Sequence, residues 1–582
     1  MSLCPLPRFG ALLASAALLI ACTPPVASPS PPPVAEQRLT STPAQATPSP
    51  APSISGVVLD TSGLPLESSV VRVQGTDHET QTNAAGQFVL TSASIGVPVS
   101  VSAWKEGFYC AKVESITPPA QDLTLVLRPV QTNDNPDYAW VPPVGENSCY
   151  SCKPAVTQVW LDNDAHGRSA ANPRFLTMYL GTDAEANQSP RTRYAVDRDY
   201  GRIPLRPDLS RPYYGPGYKL DFPESAGNCA ACHTPGAAIG AAYETDPTTV
   251  KGVDAFGVHC DFCHKIADVL TDSATGMPLP NMPGVLSLEI RRPFPEDEDR
   301  YQLFFGTFDD DNVPQEDTYL PLIEQSAFCA PCHYGVFWDT LVYNSYGEWL
   351  ESPYSDSSSA GAKTCQECHM LAPTMVEGVP LTNVAEGKGG IERDPLRIHA
   401  HTFPGAASQS LLQNAVSLQA TARRTSEGLE VEVGVTNDQT GHDVPTDSPL
   451  RQILLLVEAR DASGKPLAQL NGPQLPAWAG VGDASQGRYA GLSGTAFAKI
   501  LIETWTEISP TGAYWNPTRV VSDNRLRAMA RHESRYVFAA PAGGPLTVHV
   551  RLLYRRAFID LMEQKGWETP DILMEEQTLV VP

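Results

Sequence analysis

The sequence lacks an apolar run long enough to cross a bilayer, and it is poor in basic residues. A membrane-spanning helix needs about 20 consecutive apolar residues, whereas the longest run, Ala11 to Ala21 (ALLASAALLIA), is much shorter. Lys and Arg number 41 against 65 Asp and Glu, so the formal net charge is −24. That charge argues against nucleic acid or an anionic lipid surface as a partner. No internal repeat of fixed period is visible.

Length and composition predict a multidomain protein with much irregular structure. The chain has 582 residues, enough for three or four domains, and 42% of them are hydrophobic. It also contains 54 prolines, which interrupt helices and central strands. The 13 cysteines include ten in C-x-x-C pairs, and those pairs carry most of the functional information.

The first 22 residues have the features of an export signal. Arg8 precedes the apolar run, which ends at Leu19-Ile20-Ala21-Cys22. This ending resembles the lipobox of bacterial lipoproteins, which implies cleavage before Cys22 and lipid attachment to its sulfur. An ordinary secretory signal is the alternative. Residues 23–53 contain ten prolines and predict an extended tether. We therefore expect an exported chain, anchored by lipid to a bacterial membrane on its periplasmic or cell-surface face.

Three further domains are expected. Residues 54–130 alternate apolar and polar residues between glycine turns, which predicts a β-sandwich. The segments Gly56-Val57-Val58, Gly63-Leu64-Pro65 and Gly86-Gln87-Phe88 resemble the carboxypeptidase regulatory-like domain, which brings no catalytic residue. Residues 131–405 predict a mainly α-helical or irregular core. Residues 406–582 return to strands and predict a second β-sandwich.

An acidic stretch in the core, Glu296 to Asp299 with Asp309 to Asp311, is a candidate calcium site, although a solvated loop is the favoured interpretation.

Four of the C-x-x-C pairs continue into histidine. Two cysteines at this spacing reach the two vinyl groups of a haem and form thioethers, and the next histidine ligates the iron. A redox disulfide or half a zinc site is the alternative for a single pair, but four such motifs in an exported chain favour haem c. The predicted attachment and proximal residues are Cys229, Cys232 and His233; Cys260, Cys263 and His264; Cys329, Cys332 and His333; and Cys365, Cys368 and His369.

The fifth pair, Cys149-Tyr-Ser-Cys152, is followed by Lys153. A deprotonated amine can ligate iron, because a bound cation lowers its pKa. One C-x-x-C-K followed by four C-x-x-C-H resembles the pentahaem ammonia-forming nitrite reductases. The resemblance implies five covalently attached haems and a catalytic haem at Lys153 with an open distal position. An ordinary haem with a substituted ligand is the alternative. The strands predicted at the C-terminus depart from the long helices of that family.

Other segments resemble the broader multihaem cytochrome superfamily. They are Trp160 with Ala165-His166-Gly167-Arg168-Ser169, the stretch Thr364 to Met370, and Thr440-Gly441-His442-Asp443-Val444-Pro445-Thr446. The resemblance implies that histidines in such contexts are distal ligands to neighbouring haems. The candidate distal ligands are His166, His259, His399, His401 and His442.

The number of distal histidines distinguishes two functions. Four (His166, His259, His401 and His442) would leave the Lys153 haem open, and adding His399 would saturate all five. We expect an electron carrier that passes electrons to redox partner proteins or an extracellular acceptor. The alternative is a reductase of a small nitrogen or sulfur oxyanion at Lys153, with Arg168 and Arg174 as candidate cations. A structural or adhesive surface protein is a third, less favoured function.

Overall fold

A computed structural model of the protein describes residues 53–91, 96–163, 165–190, 196–198, 201–203, 207, 210–295, 302–313 and 317–582. The predicted signal with Cys22, almost all of the tether, and Glu296 to Asp299 of the acidic stretch lie outside these residues. No helix in the described part of the chain is both long and apolar enough to span a membrane.

The N-terminal domain is a sandwich of two small sheets. Alternating burial along its strands, as in Gln87–Thr91, turns one side of each sheet towards a shared apolar core. One sheet has the order β4-β1-β7 and the other β3-β2-β5-β6. The strands are β1 (Ser53–Asp60), β2 (Val70–Val73), β3 (Glu79–Gln81), β4 (Gln87–Thr91), β5 (Val99–Trp104), β6 (Ala111–Ile116) and β7 (Ala120–Leu127).

The middle region has short elements joined by irregular chain. Its helices are four to ten residues long, so the expectation of a mainly α-helical core is not met, while the irregular character is evident. The helices are α1 (Cys149–Cys152), α2 (Pro154–Asn163), α3 (Pro173–Leu180), α4 (Tyr218–Asp221), α5 (Ala230–His233), α6 (Pro235–Ala238), α7 (Cys260–Cys263), α8 (Ser345–Leu350), α9 (Cys365–His369) and α10 (Gln409–Leu412).

The described part of the middle region also contains five two-stranded sheets. Four are antiparallel, and β12 with β13 is parallel. The strands are β8 (Val196–Arg198), β9 (Gly201–Ile203), β10 (Ile266–Val269), β11 (Leu288–Ile290), β12 (Phe304–Gly306), β13 (Asp317–Tyr319), β14 (Gly335–Phe337), β15 (Thr340–Tyr343), β16 (Met375–Val376) and β17 (Val379–Pro380).

The C-terminal domain contains two four-stranded sheets, ordered β18-β19-β25-β21 and β22-β20-β26-β27, with a separate hairpin of β23 and β24. Residues of both larger sheets form one apolar core. The elements are β18 (Ser417–Thr425), β19 (Gly428–Thr436), β20 (Gln452–Arg460), β21 (Gln469–Asn471), β22 (Gly494–Phe497), β23 (Lys499–Glu503), β24 (Thr518–Asp523), β25 (Arg531–Phe538), β26 (Leu546–Arg555), α11 (Ile559–Lys565) and β27 (Ile572–Val581).

Ion pairs and hydrogen bonds connect the N-terminal and C-terminal domains to the middle region. On the N-terminal side, Arg72 pairs with Asp309 at 2.7 Å. Asp310 accepts from the Gly75 amide and forms a fully buried ion pair with Arg393. On the C-terminal side, the buried ammonium of Lys565 donates to the carbonyls of Thr177, Thr182 and Pro216. The middle region is therefore held between the two β domains.

Candidate functional site

A cavity of about 2530 Å³ lies in the middle region and extends to the C-terminal domain. An ordinary small-molecule pocket holds about 300–1,000 Å³, so this cavity has room for several large cofactors. All ten paired cysteines line it, as do Lys153 and the four histidines that follow the other pairs. The five candidate distal histidines line it as well. The fold thus brings together every residue that the sequence analysis selected for cofactor binding.

Each cysteine motif forms about one helical turn at the cavity wall. A single turn places residues three apart on the same side, which aligns the two thiols of a pair. In α9, a capping box fixes the start of the turn: the Thr364 hydroxyl accepts from the Glu367 amide, and the Glu367 carboxylate accepts from the Thr364 amide at 2.7 Å. Helix α1 begins with a similar box at Ser148.

The structure shows no disulfide bond among the ten paired cysteines. Burial raises the pKa of the Cys229 thiol to about 12. A catalytic C-x-x-C disulfide needs the opposite change, a lowered pKa that generates thiolate. The environment of this motif therefore does not favour the redox-disulfide interpretation.

Three pairs of histidine rings face each other across the cavity. His166 and His333 have ring centroids 6.2 Å apart, and His264 and His401 are separated by 6.4 Å. The third separation is 6.3 Å, with the two planes 16° apart; this pair is His369 and His442. Each pair joins a histidine of a C-x-x-C-H motif to one from elsewhere in the chain.

That spacing is the one expected for two imidazoles on opposite sides of a metal ion. Metal–imidazole bonds are about 2.0–2.1 Å long, which sets the two ring centroids about 6.3 Å apart. The two rings supply only two ligands, so a metal held in this way must obtain its remaining ligands from another group. The residues therefore fit a haem, whose macrocycle supplies those ligands and whose edge bonds two thiols.

Backbone carbonyls orient most of these rings through Nδ1. The Nδ1 of His369 lies 2.8 Å from the Pro404 carbonyl, that of His401 lies 3.1 Å from the His399 carbonyl, and that of His442 lies 2.9 Å from the Asp443 carbonyl. A ring that donates from Nδ1 keeps Nε2 free as a metal ligand, as is usual for metal-bound histidines.

Burial keeps four of these rings neutral, as metal ligation requires. Mainly because of burial, the pKa of His166 and of His264 falls to about 3. The same effect lowers the pKa of His369 and of His401 to about 4.

Aromatic rings pack against two of the motif histidines. Phe175 stacks on His233 with centroids 3.7 Å apart and planes 5° apart, and Phe304 stacks on His264 at 3.9 Å. The Lys153 ammonium lies over Phe304, 5.0 Å from the ring centroid. Lys153 is therefore close to the His264 motif.

Two candidate distal ligands are not in facing pairs. The His399 Nδ1 lies 2.9 Å from the Met370 carbonyl, so its Nε2 is free for ligation. His259 is arranged differently, because its Nδ1 accepts from the Phe262 amide and its Nε2 must then carry hydrogen. That Nε2 lies 3.9 Å from Asp254, and Trp140 packs edge-on against the ring. The structure does not place His259 in a ligand geometry.

Arg168 and Arg174, the two candidate cations for an oxyanion at Lys153, lie in different parts of the structure. Arg168 donates to the carbonyls of Leu161 and Asp162 at the protein surface. Arg174 lines the cavity next to Phe175, on the His233 side, and lies over Trp567.

The sequence analysis missed a second set of polar residues at the same side of the cavity. They come from the C-terminal domain and from β15: Tyr343, Asp447, Arg451, Tyr514, Tyr554 and Arg556. The sequence gave only a weak indication of these residues: Asp447 directly follows the Thr440 to Thr446 segment, and Arg451 lies a few residues further on.

Two of the candidate calcium residues, Asp309 and Asp310, are bound by arginines, and Asp310 also accepts from the Gly75 amide. Asp309 pairs with Arg72, and Asp310 pairs with Arg393. Within the described residues, no group of three or more His, Cys, Asp or Glu side chains is arranged to hold a metal ion on its own.

Comparison with known proteins identifies one domain. The family model for the carboxypeptidase regulatory-like domain matches residues 53–128, which confirms the resemblance noted in the sequence. No curated protein matches the chain. Among solved structures, a penta-haem cytochrome c552 from Thermochromatium tepidum is similar, with 17% identity and a TM-score of 0.48 over 76% of this chain and 100% of that chain. A cohesin–X-dockerin complex from Acetivibrio cellulolyticus matches at 15% identity and a TM-score of 0.12, over 13% of this chain and 56% of that chain. At these scores neither structure establishes the fold or the function of the protein.

Proposed function

We propose that the protein is a multihaem c-type cytochrome that transfers electrons among five covalently attached haems outside the cytoplasm. The observation that carries the proposal is the set of three histidine pairs with ring centroids 6.2 to 6.4 Å apart. Each pair includes the histidine of a C-x-x-C-H motif, so attachment residues and both axial ligands occur together.

The protein would contribute position and environment to this function, while the haem iron supplies the reversible one-electron chemistry. Two nitrogen ligands keep the geometry of an iron constant between oxidation states, which suits electron transfer. The carbonyls that accept from Nδ1 hold the rings of His369 and His442 in place, and burial keeps the His369 imidazole neutral. These features favour carriers over catalysts at the three paired sites.

Contacts between the motifs support a connected chain of haems. The Cys149 and Cys260 thiols interact electrostatically, and so do those of Cys232 and Cys332, which raises the pKa of Cys260 and of Cys232. Cys329 interacts in the same way with Cys365, and it also interacts with the charge of Cys263. These interactions connect all five motifs, which supports close spacing between neighbouring haems.

The proposed location follows from the N-terminal sequence. The ending Leu19 to Cys22 supports a lipid anchor, and the proline-rich residues 23–53 support a tether between the membrane and the folded domains. Thioether-bound haem also suits an exported protein. Electrons would pass from a membrane-associated donor to a partner protein or an extracellular acceptor.

The proposal is tested by counting the haems. The full chain would be produced in a bacterial host with a c-type cytochrome maturation system, and haem per protein measured from the pyridine haemochrome spectrum and intact mass. We expect five haems, with the optical spectra of low-spin haem in both redox states and a dominant low-spin electron paramagnetic resonance (EPR) signal from the oxidised protein. A protein with fewer than five attached haems, or with mostly high-spin iron, would contradict the proposal.

The reductase alternative at Lys153 receives less support. Arg168 is engaged with backbone carbonyls, and Arg174 lies on the His233 side of the cavity. Lys153 has Phe304 beside its ammonium. Neither candidate arginine therefore provides the positive charge that binding an oxyanion at Lys153 would require.

A further inference from the structure

The N-terminal domain contacts the strand that holds one of the motif histidines. None of the described residues of this domain lines the cavity. The domain packs instead against β12 in the middle region, and two consecutive residues of β12, Phe304 and Phe305, contact His264. The domain therefore reaches a C-x-x-C-H motif indirectly.

Strand β12 fixes both the backbone and the ring of His264. The Phe305 amide donates to the His264 carbonyl at 3.0 Å, and the Phe305 carbonyl accepts from the His264 Nδ1. The Phe304 ring stacks on the imidazole, with centroids 3.9 Å apart and planes 15° apart. The position of β12 therefore sets the direction in which the Nε2 of His264 points.

Strand β13 joins β12 to the N-terminal domain. The two strands pair in parallel, and Thr318 of β13 lies opposite Phe305. The Thr318 hydroxyl donates to the Phe108 carbonyl of the N-terminal domain at 2.6 Å. Trp104, at the end of β5, packs edge-on against Tyr319 with ring centroids 4.8 Å apart. A hydrogen bond and an aromatic contact from the N-terminal domain thus hold β13.

The Phe305 side chain contacts the N-terminal domain directly. It is buried in an apolar cluster with Tyr109, Val130 and Leu303, and the first two of these belong to the N-terminal domain. Phe305 thus places its carbonyl on the His264 ring and its side chain in the contact between the two domains.

The acidic segment that follows β12 makes a second attachment. Asp309 pairs with Arg72 at 2.7 Å, and the Asp310 carboxylate accepts from the Gly75 amide. Asp310 also forms its buried ion pair with Arg393. Separating such groups would leave buried charge without a partner, which is strongly destabilising. The N-terminal domain is therefore attached to β13 and to the segment after β12.

Two other motif histidines are oriented by carbonyls elsewhere. The Nδ1 of His369 lies 2.8 Å from the Pro404 carbonyl, and that of His233 lies 3.3 Å from the Ser169 carbonyl. Both carbonyls lie in the middle region outside β12 and β13. The link through these two strands therefore distinguishes His264 from His369 and His233.

We infer that the N-terminal domain positions His264, and that through β12 and β13 it sets the orientation of this imidazole towards a haem iron. The inference rests on the proposed function, because His264 would ligate the haem attached to Cys260 and Cys263. The orientation of an axial histidine and the hydrogen bond at its Nδ1 tune the bound iron. Thr318 and Trp104 are then positioning residues that act on the iron only through β12 and His264.

The test compares the haem-loaded full chain with Thr318→Val. Valine keeps the β-branched shape that suits a strand and removes only the hydroxyl that donates to Phe108, so the fold should survive. The low-spin EPR signals of the oxidised protein and the midpoint potentials of its haems would be measured. We expect one haem to change its g values and its potential, with five haems still attached. Trp104→Leu should shift the same signal.

A third variant, His401→Ala, identifies the affected haem. The His401 ring faces His264 with centroids 6.4 Å apart, so its removal should convert that one haem to high spin. The low-spin signal lost in His401→Ala should be the one that Thr318→Val shifts. A shift confined to another low-spin signal would overturn the inference.

The matched control is Thr82→Val. The Thr82 hydroxyl donates to the Leu66 carbonyl and accepts from the Ser69 amide, and both partners lie inside the N-terminal domain. Its loss should lower the thermal stability of the protein and leave the haem spectra unchanged. Unchanged spectra in both Thr318→Val and Trp104→Leu, or an equal spectral change in Thr82→Val, would overturn the inference.

Haem content separates this inference from the proposed function. Five haems in the wild type with unchanged spectra in both variants would remove the positioning role and leave the electron-transfer proposal standing. A wild-type chain with fewer than five haems would contradict the proposed function, and the comparison with His401→Ala would still decide the positioning role.

Discussion

His369 and His442 face each other with ring centroids 6.3 Å apart and ring planes 16° apart, although one belongs to α9 and the other to the C-terminal domain. The nearly parallel rings fit the two axial positions of a single iron. This relationship makes His442 the best-supported candidate for a distal ligand, and it comes from a different domain than the His369 motif.

Replacing His442 tests that assignment. In His442→Ala, one iron loses its second nitrogen ligand, so a high-spin signal should appear while all five haems stay attached. EPR and optical spectra of the purified protein would show it. His549→Ala is the control, because His549 lies on β26 against the Thr578 hydroxyl. An unchanged low-spin spectrum in His442→Ala would remove His442 from the ligand set.

Replacing His259 should leave the spin state of the haems unchanged, in contrast to His442→Ala. Its Nδ1 accepts the Phe262 amide, and Asn can offer a carbonyl oxygen in a similar place. We therefore expect His259→Asn to retain five haems and the wild-type spin state. If this variant instead gained a high-spin haem, the ring would be a ligand after all.

Each cysteine pair should carry one haem. Cys365→Ala with Cys368→Ala removes both thioether bonds of the α9 motif, so intact mass should fall by one haem and the other four should remain. The control is Cys110→Ala, which removes a buried thiol of the N-terminal domain that belongs to no pair. Loss of no haem, or of several, would argue against independent attachment at the five motifs.

The Arg393–Asp310 ion pair should matter for stability. Both side chains are 1% exposed, so Arg393→Met would leave a buried carboxylate without its main partner. Breaking such a pair typically costs about 3–5 kcal/mol. Arg291→Met is the control, since Arg291 pairs with the more exposed Glu289 and should cost less than about 1 kcal/mol. Chemical denaturation followed by circular dichroism would compare the two, and equal effects would contradict the prediction.

Lipid attachment at Cys22 is the last prediction. Cys22→Ser removes the sulfur that a lipobox requires, so the protein should move from the membrane fraction to the soluble exported fraction with its haems intact. Fractionation and haem staining would measure this. Continued membrane association of the variant would point to an ordinary secretory signal and a different means of attachment.

Local sequence signals predicted much of what the structure shows at the level of single elements. The alternating segments around Gly428, Gln452 and Leu546 are the strands β19, β20 and β26, because side chains facing a shared core must recur every second residue. The C-x-x-C spacing similarly identified all ten cysteines that line the cavity. Both signals depend on residues that are close in the chain.

Relationships between distant residues could not be derived in the same way. Nothing in the sequence pairs His166 with His333 or His264 with His401, because those contacts depend on how the irregular segments fold around one cavity. The position of His259 beside Cys260 suggested a ring directed at a neighbouring haem, but the Phe262 amide holds its Nδ1 instead.

Two of the three arginines that line the His233 side of the cavity were missed for a related reason. Arg174, Arg451 and Arg556 come from three separate segments, and only Arg174 drew notice, for its nearness in sequence to Lys153. Adjacent strand ends bring the other two together. A pocket assembled from such dispersed residues has no local signature.

The buried Lys565 has a consequence for biogenesis. Its ammonium is fixed by three carbonyls of the middle region, so the C-terminal domain can dock only when it closes over the finished cavity wall. That domain is also synthesised after the middle region, and it brings His442 with it. The haems that we propose would therefore have to be attached to the thiols before docking, and the closing of this domain would mark the end of assembly.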